Sequence, residues 1–336
     1  MINSTVKIVR FHKTGGPEVL QLEEMPLPVP GKGEVRLRVQ AIGLNRAEVM
    51  YRKGQYLFQP QFPSYVGYEA SGIVEVVGPD VDVKLIGKKC STVPCFDLNH
   101  YGVYGEVAIV PGYALAFYPD KLSPIEATSI WMQYLTAYGA LVHHGKITKG
   151  DFVLVTAASS SVGLAAIEII KAQGATSIVT TRTEKKKAML LVLGADHVIV
   201  TEQEDLVKRV QQITNDKGAR IIFDAVAGKG IVALAQAAAQ RGTIFVYGAL
   251  GAEPTPFPLF TALVKGLSIR GYSLFEVVGI PALRSKAEKY VFDHLQTGTF
   301  KPKIARTFPL AKIVEAHQYM ESNEQIGKIV VTVSQE

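Results

Sequence analysis

The sequence is short of the features that would place it at once. Among its 336 residues are two cysteines, Cys90 and Cys95. Two cannot build a disulfide framework, and they suit a reducing, cytoplasmic setting. No run of about 18 apolar residues escapes interruption by charge, so no membrane-spanning helix is expected. The opening stretch MINSTVKIVRFHKTGG lacks an apolar signal core. The net charge of +6 is mild for this length. It favours an anionic ligand without calling for nucleic acid, and no nucleic-acid-binding motif is visible. Internal repeats and low-complexity tracts are missing too.

Glycine is scarce where it would be most informative. The stretch VLVTAASSSVGLAAIEII, residues 153–170, reads as a buried strand running into a helix. A dinucleotide fingerprint has glycines at its first, third and sixth positions. Here those positions hold Ala158, Ser160 and Gly163. A phosphate at a helix start is held by backbone N–H groups and the positive end of the helix dipole. Glycine serves there because a Cβ blocks close approach. Alanine and serine are the next smallest residues, and serine adds a hydroxyl donor. Ser160, Ser161, Val162 and Gly163 therefore form a candidate phosphate cradle. An ordinary strand-to-helix turn would read the same way.

An acid is also missing one strand later. In a doubly wound fold the end of the second strand faces the adenosine ribose. A carboxylate there accepts from the free 2′-hydroxyl of NAD, whereas basic groups accommodate the 2′-phosphate of NADP. After SIVTT come Thr181, Arg182 and Lys186, with no acid at the strand end. This pattern predicts NADP(H). The competing reading makes EKKK the solvated first turn of a helix.

What is present gives the architecture. At 48% hydrophobic, the chain can fill about two cores. The first 125 or so residues carry short strand-like runs separated by Pro and Gly clusters such as MPLPVPGKG. From Phe152 strands alternate with helix-length segments, which predicts a parallel sheet covered by helices on both faces. Tyr247, Gly248, Ala249 and Leu250 end the fifth of these strands, where the ligand crevice of an open sheet lies. Asp224 ends the fourth, as a structural acceptor or a cofactor contact. The tail returns to a helix and a last strand, KIVVTV. The expected fold class is α/β: a β-rich domain interrupted by a doubly wound one.

Many segments in one order resemble the medium-chain dehydrogenase/reductase superfamily, in its zinc-independent quinone oxidoreductase branch. They include FHKTGGPEVLQLEE, GEVRLRVQAIGLNRAEVMYRKGQY, GYEASGIVEVVG, SSSVGLAA, GADHVI, FDAVAG, GTIFVYGALGA and GKIVVTV. The resemblance implies a GroES-like domain over 1–126, completed by 275–336, and a Rossmann NADP(H)-binding domain over 127–274. It also implies cofactor contacts from Thr136 and Lys328, the latter to a phosphate, with a solvated lysine as the nearly equal alternative. A homodimer through the edge strand around Arg270 is expected by the same resemblance.

The zinc-dependent branch of that superfamily carries a cysteine ligand where this chain has Asn45, and a GHE histidine where it has Tyr68. An amide and a phenol replace thiolate and imidazole poorly on zinc, so no metal is expected. Hydride added to an isolated carbonyl makes an alkoxide that needs a Lewis acid. Hydride added to a quinone or enone makes a delocalised anion that needs only hydrogen bonds and a proton. The resemblance puts Asn45 in the active site and Tyr56 as first choice for proton donor, with Tyr51 second. Met50 replaces a tyrosine found in other members. The leading expectation is an NADPH-dependent reductase of small quinones or α,β-unsaturated carbonyls. Its competitors are a crystallin-like NADPH binder without turnover and an enoyl-thioester reductase. Zinc-dependent alcohol oxidation is disfavoured by Asn45 and Tyr68.

Overall fold

A computed structural model describes residues 5–251 and 253–334. They form two units. One comprises the described residues up to Met132 and from Pro302 onward, and the other comprises Gln133–Lys301.

The first unit begins with an antiparallel ribbon of β1 (Thr5–Arg10) and β2 (Gln21–Pro26). Its main sheet is built on β3 (Glu34–Gly43), where EVRLRVQAIG alternates half-buried and buried positions at period 2. β4 (Glu69–Val77) pairs with it antiparallel, then come β5 (Lys89–Thr92), β6 (Val107–Pro111) and β7 (Leu115–Ala116). β6 also pairs with β3.

The second unit holds β8 (Phe152–Val155), β9 (Thr176–Thr181), β10 (His197–Val200), β11 (Ala219–Asp224), β12 (Ala238–Val246) and β13 (Ser268–Gly271). All pair in parallel, in the order β10-β9-β8-β11-β12-β13. Counted within the unit this is 3-2-1-4-5-6, the doubly wound dinucleotide-binding order. Leu154, Ile178, Ile199, Ile222 and Ile244, one from each of five strands, are fully buried in one core. Parallel strands are covered on both faces and read as apolar runs for that reason.

β14 (Ile304–Pro309) and β15 (Lys328–Thr332) then return to the first unit. β15 lies between β14 and β3, antiparallel to β3. The tail thus completes the N-terminal sheet, but it does so from residue 302. The expected boundary at 275 is corrected by the helix Pro281–Thr297, which packs within the second unit. There Tyr290 lies 5.0 Å from the Tyr138 ring and its hydroxyl accepts from Gln173 Nε2 at 3.0 Å. An amphipathic helix advertises an apolar face but not which core receives it. Among the described residues no helix is long and apolar enough to cross a membrane.

Candidate functional site

In the second unit β8 runs into the serine loop. Ala157 turns the chain at φ +49°, and Ser160 caps the helix Ser161–Ala172 in an extended conformation. The Ser160 hydroxyl accepts from Gly163 N–H at 3.1 Å, which satisfies one orphan donor of the first turn. A Cβ on Gly163 would lie 2.6 Å from both the Cα and the carbonyl oxygen of Ala158. The one glycine kept from the fingerprint is the one whose side chain would strike backbone. Ser161 and Val162 open the helix, so their N–H groups have no carbonyl one turn back.

Lys186 belongs to this loop in space, because its Nζ donates to Ser159 Oγ at 3.0 Å. Arg182 is exposed just past the end of β9. Thr181 is buried, with its hydroxyl turned to the Thr183 carbonyl at 3.5 Å, and so closes the strand rather than reaching outward. Tyr247 stacks on Phe223 with centroids 3.9 Å apart. Gly248 leads to Ala249 and Leu250, and Leu250 N–H is clipped to the Ala225 carbonyl at 3.1 Å. Asp224 accepts from Thr156 Oγ1 at 2.6 Å and from the N–H groups of Val226 and Ala227 at 3.0 Å. Of its two readings, the structural one holds. Thr136 is buried in the helix Trp131–Tyr138.

In the first unit Asn45 precedes the helix Arg46–Arg52 and is at the centre of a closed polar quartet. Its Nδ2 faces Gly43 O at 3.1 Å, Glu48 Oε1 at 3.1 Å and Glu69 Oε2 at 3.2 Å. Its Oδ1 accepts from Lys328 Nζ at 2.6 Å. The same ammonium is paired with the Glu69 carboxylate, whose other oxygen accepts from Met132 N–H at 2.8 Å. Glu48 accepts from the Asn45 backbone N–H, and from Tyr68 N–H at 3.2 Å. Burial pushes the Glu48 carboxyl up to about 7, opposed by the Lys328 charge and by these hydrogen bonds.

Three expectations change here. Lys328 does not reach a phosphate, since its side chain is fully buried against Glu69 and Asn45. Asn45 has its amide committed on both ends and serves as a hub. Tyr51 is fully buried, with its hydroxyl bonded to Ser64 Oγ at 2.7 Å and Asn99 Oδ1 at 2.8 Å. That fixes Tyr51 as a packing residue. Its ring meets Phe58 edge-on at 5.6 Å, and Phe58 meets Tyr56 at 5.3 Å. Tyr51 therefore helps to hold Tyr56 in place.

Tyr56 itself is half-buried and its phenol interacts with that of Tyr68. Burial and the Glu48 charge raise it to about 12, while the Tyr68 hydrogen bond draws it down. Tyr68 is pushed up further, chiefly by burial. Tyr56 thus stays protonated at neutral pH. Glu48 and Glu69 were missed by sequence reasoning. The N-x-x-E spacing from Asn45 to Glu48 and the acid next to Tyr68 were the available signals.

The residues do not fit zinc. The position of a cysteine ligand carries an amide whose oxygen already binds an ammonium, and a neighbouring cation repels a dication. Among the described residues no group of three or more His, Cys, Asp or Glu could hold a metal ion.

The six-stranded sheet has the doubly wound dinucleotide-binding order, and comparisons with known proteins agree with that fold. Residues 31–120 match the alcohol dehydrogenase GroES-like domain, and 161–289 match the zinc-binding dehydrogenase domain. A 2-haloacrylate reductase from Burkholderia sp is 32% identical over 334 residues, covering 96% of this chain and 97% of that protein. The crystal structure of the Escherichia coli quinone oxidoreductase complexed with NADPH superposes with a TM-score of 0.90 at 29% identity, covering 97% and 99%. An NAD-dependent alcohol dehydrogenase gives 0.89 at 30%, covering 98% and 100%. The chain belongs to the medium-chain dehydrogenase/reductase superfamily, in its quinone oxidoreductase branch. It is a GroES-like domain joined to a Rossmann domain, and a nicotinamide-dependent oxidoreductase at the family level.

Proposed function

We propose that the protein is an NADPH-dependent reductase of quinones or α,β-unsaturated carbonyls that works without zinc. The observation that carries the cofactor choice is Lys186 Nζ on Ser159, which places a cation against the serine loop. Ser161, Val162 and Gly163 at the helix start would hold the pyrophosphate, with Arg182 and Lys186 taking the 2′-phosphate. When bound, NADPH supplies the hydride. Tyr56 holds the proton that quenches the enolate or hydroquinone oxygen. The quartet keeps a fixed ammonium and amide where the zinc branch has a metal ligand, which favours acceptors whose added charge is spread over conjugation. The 2-haloacrylate reductase among the relatives is named for a conjugated substrate, in keeping with this reading. A second copy would add across β13, the sheet's edge strand, beside the exposed Phe260, Leu263 and Val264 of the helix Leu259–Lys265.

The test is an oxidation panel with quinones, enones and enoyl thioesters, run with NADPH beside NADH and with chelator present. Chelator-resistant turnover with at least tenfold NADPH preference, about 1.4 kcal/mol, is expected. Equal use of NADH would remove Arg182 and Lys186 from the assignment. Tyr56→Phe is expected to lower kcat about 100-fold.

A further inference from the structure

Two peptide groups after β11 are held at both ends. Val226 N–H donates to Asp224 Oδ1 and Ala227 N–H to Asp224 Oδ2, each at 3.0 Å. In a planar trans peptide the carbonyl points away from the N–H. Fixing both N–H groups on one carboxylate therefore aims the Ala225 and Val226 carbonyls the other way, at the loop after β12. There Ala225 O accepts from Leu250 N–H at 3.1 Å, and Val226 O accepts from Gly251 N–H at 2.8 Å. The two loops approach closely, since a Cβ on Gly248 would lie 2.7 Å from Ala225 O.

Asp224 also ties in the strand that feeds the serine loop. It is fully buried, and its Oδ1 accepts from Thr156 Oγ1 at 2.6 Å. The same hydroxyl accepts from Ala225 N–H at 2.9 Å. Thr156 follows β8, which pairs with β11 where the strand order reverses. A ligand crevice opens outside the strand ends at such a point. One carboxylate thus joins the ends of β8 and β11 and, through two peptides, the end of β12.

The turn it holds is strained. Ala227 has φ +60° and ψ −148°, a conformation left almost wholly to glycine. Such a residue persists where its surroundings over-determine it. Here they are the Asp224 carboxylate on its own N–H and, one residue on, Thr255 Oγ1, which accepts from Gly228 N–H at 2.9 Å.

We propose that Asp224 is a positioning residue for the nicotinamide half of the cofactor. It holds the strained turn at Ala227 and, through the two peptides, sets the backbone of residues 247–251. A doubly wound sheet is built from two mononucleotide-binding halves. The half that starts at β8 carries the serine loop and Lys186, which face adenosine and its phosphates. The half that starts at β11 is left for the nicotinamide nucleotide. The inference rests on the nicotinamide-cofactor reading above.

Calorimetry on the full chain with two probes tests it. One is NADPH, and the other is adenosine 2′,5′-bisphosphate, which lacks the nicotinamide half. Asp224→Asn offers one acceptor oxygen where two took three donors. It should weaken NADPH about tenfold and leave the bisphosphate within about twofold. A general loosening of the fold would weaken both. Glycine adopts the turn at 227 without strain, so adding Ala227→Gly to Asp224→Asn should recover most of the lost affinity. Equal loss of both probes, no loss of NADPH, or no recovery in the double variant overturns the assignment. Should Asp224→Asn fail to fold, amide hydrogen exchange of the wild-type chain without cofactor decides. The N–H groups of Val226, Ala227, Leu250 and Gly251 should exchange slowly and at a common rate, because their bonds open together. Fast exchange at Leu250 and Gly251 beside slow exchange at Val226 and Ala227 overturns it. If the wild-type chain bound neither NADPH nor NADH, the cofactor reading would have failed, and the exchange rates would still decide whether Asp224 sets the loop.

Discussion

The loop at residues 157–163 and the quartet around Asn45 both concentrate polar groups beside apolar sheet, yet they treat them in opposite ways. The loop leaves its first-turn N–H groups at a helix start and brings in one cation from a neighbouring segment. The quartet spends its donors and acceptors largely on one another, with Lys328, Glu48 and Glu69 almost wholly removed from water. The loop proposed to receive a phosphate stays open at its helix start. A place that must keep charge inside a core closes on itself, because an unpaired buried ion is costly.

The largest effect should come from opening the quartet. Lys328→Met leaves Glu69 and the Asn45 oxygen without their cation and should cost about 3–5 kcal/mol in chemical denaturation. A loss below about 1 kcal/mol would mean that the pair is better solvated than its burial implies. Next comes pH. The folded-state pKa of Glu48 is raised above its ordinary value, so the folded chain holds an extra proton between about 4.5 and about 7. Its contribution to stability is present below that window and is lost as pH rises through it, on the order of 3 kcal/mol. Glu168 adds in the same direction. Unfolding free energy measured from pH 5 to 8 should fall with a slope that flattens in Glu48→Gln.

On the loop side, Gly163→Val forces a side chain onto the Ala158 backbone and should cost about 1–3 kcal/mol of stability, with weaker NADPH binding by calorimetry. Lys186→Ala should leave the fold intact and reduce the NADPH-over-NADH preference about tenfold, or about 1.4 kcal/mol. The smallest effect is Tyr51→Phe, which removes one hydroxyl from Ser64 and Asn99 and should cost about 1 kcal/mol. Its kcat should change far less than that of Tyr56→Phe. A larger change would move Tyr51 back into the chemistry.

The loop was legible because its parts are local. Ala158, Ser160 and Gly163 fall within six residues, and Lys186 follows one strand later. Strand alternation likewise exposed the parallel sheet, since period and length are properties of single segments. The quartet was not legible, because it draws on residues 45, 48, 69 and 328. Sequence spacing says nothing about such distant encounters. Lys328 shows the error most plainly. In GKIVV it read as a phosphate contact or else a solvated lysine, but β15 is inserted between β14 and β3 and is buried along most of its length. The helix Pro281–Thr297 was misassigned for a related reason, since either core offered a plausible bed for its apolar side.

The Lys328 ammonium beside Asn45 also bears on how such a chain changes over evolutionary time. A thiolate placed at position 45 alone would pair with the resident lysine before any dication arrived. Room for a dication there would need Lys328 replaced as well, and that change takes away the partner of Glu69.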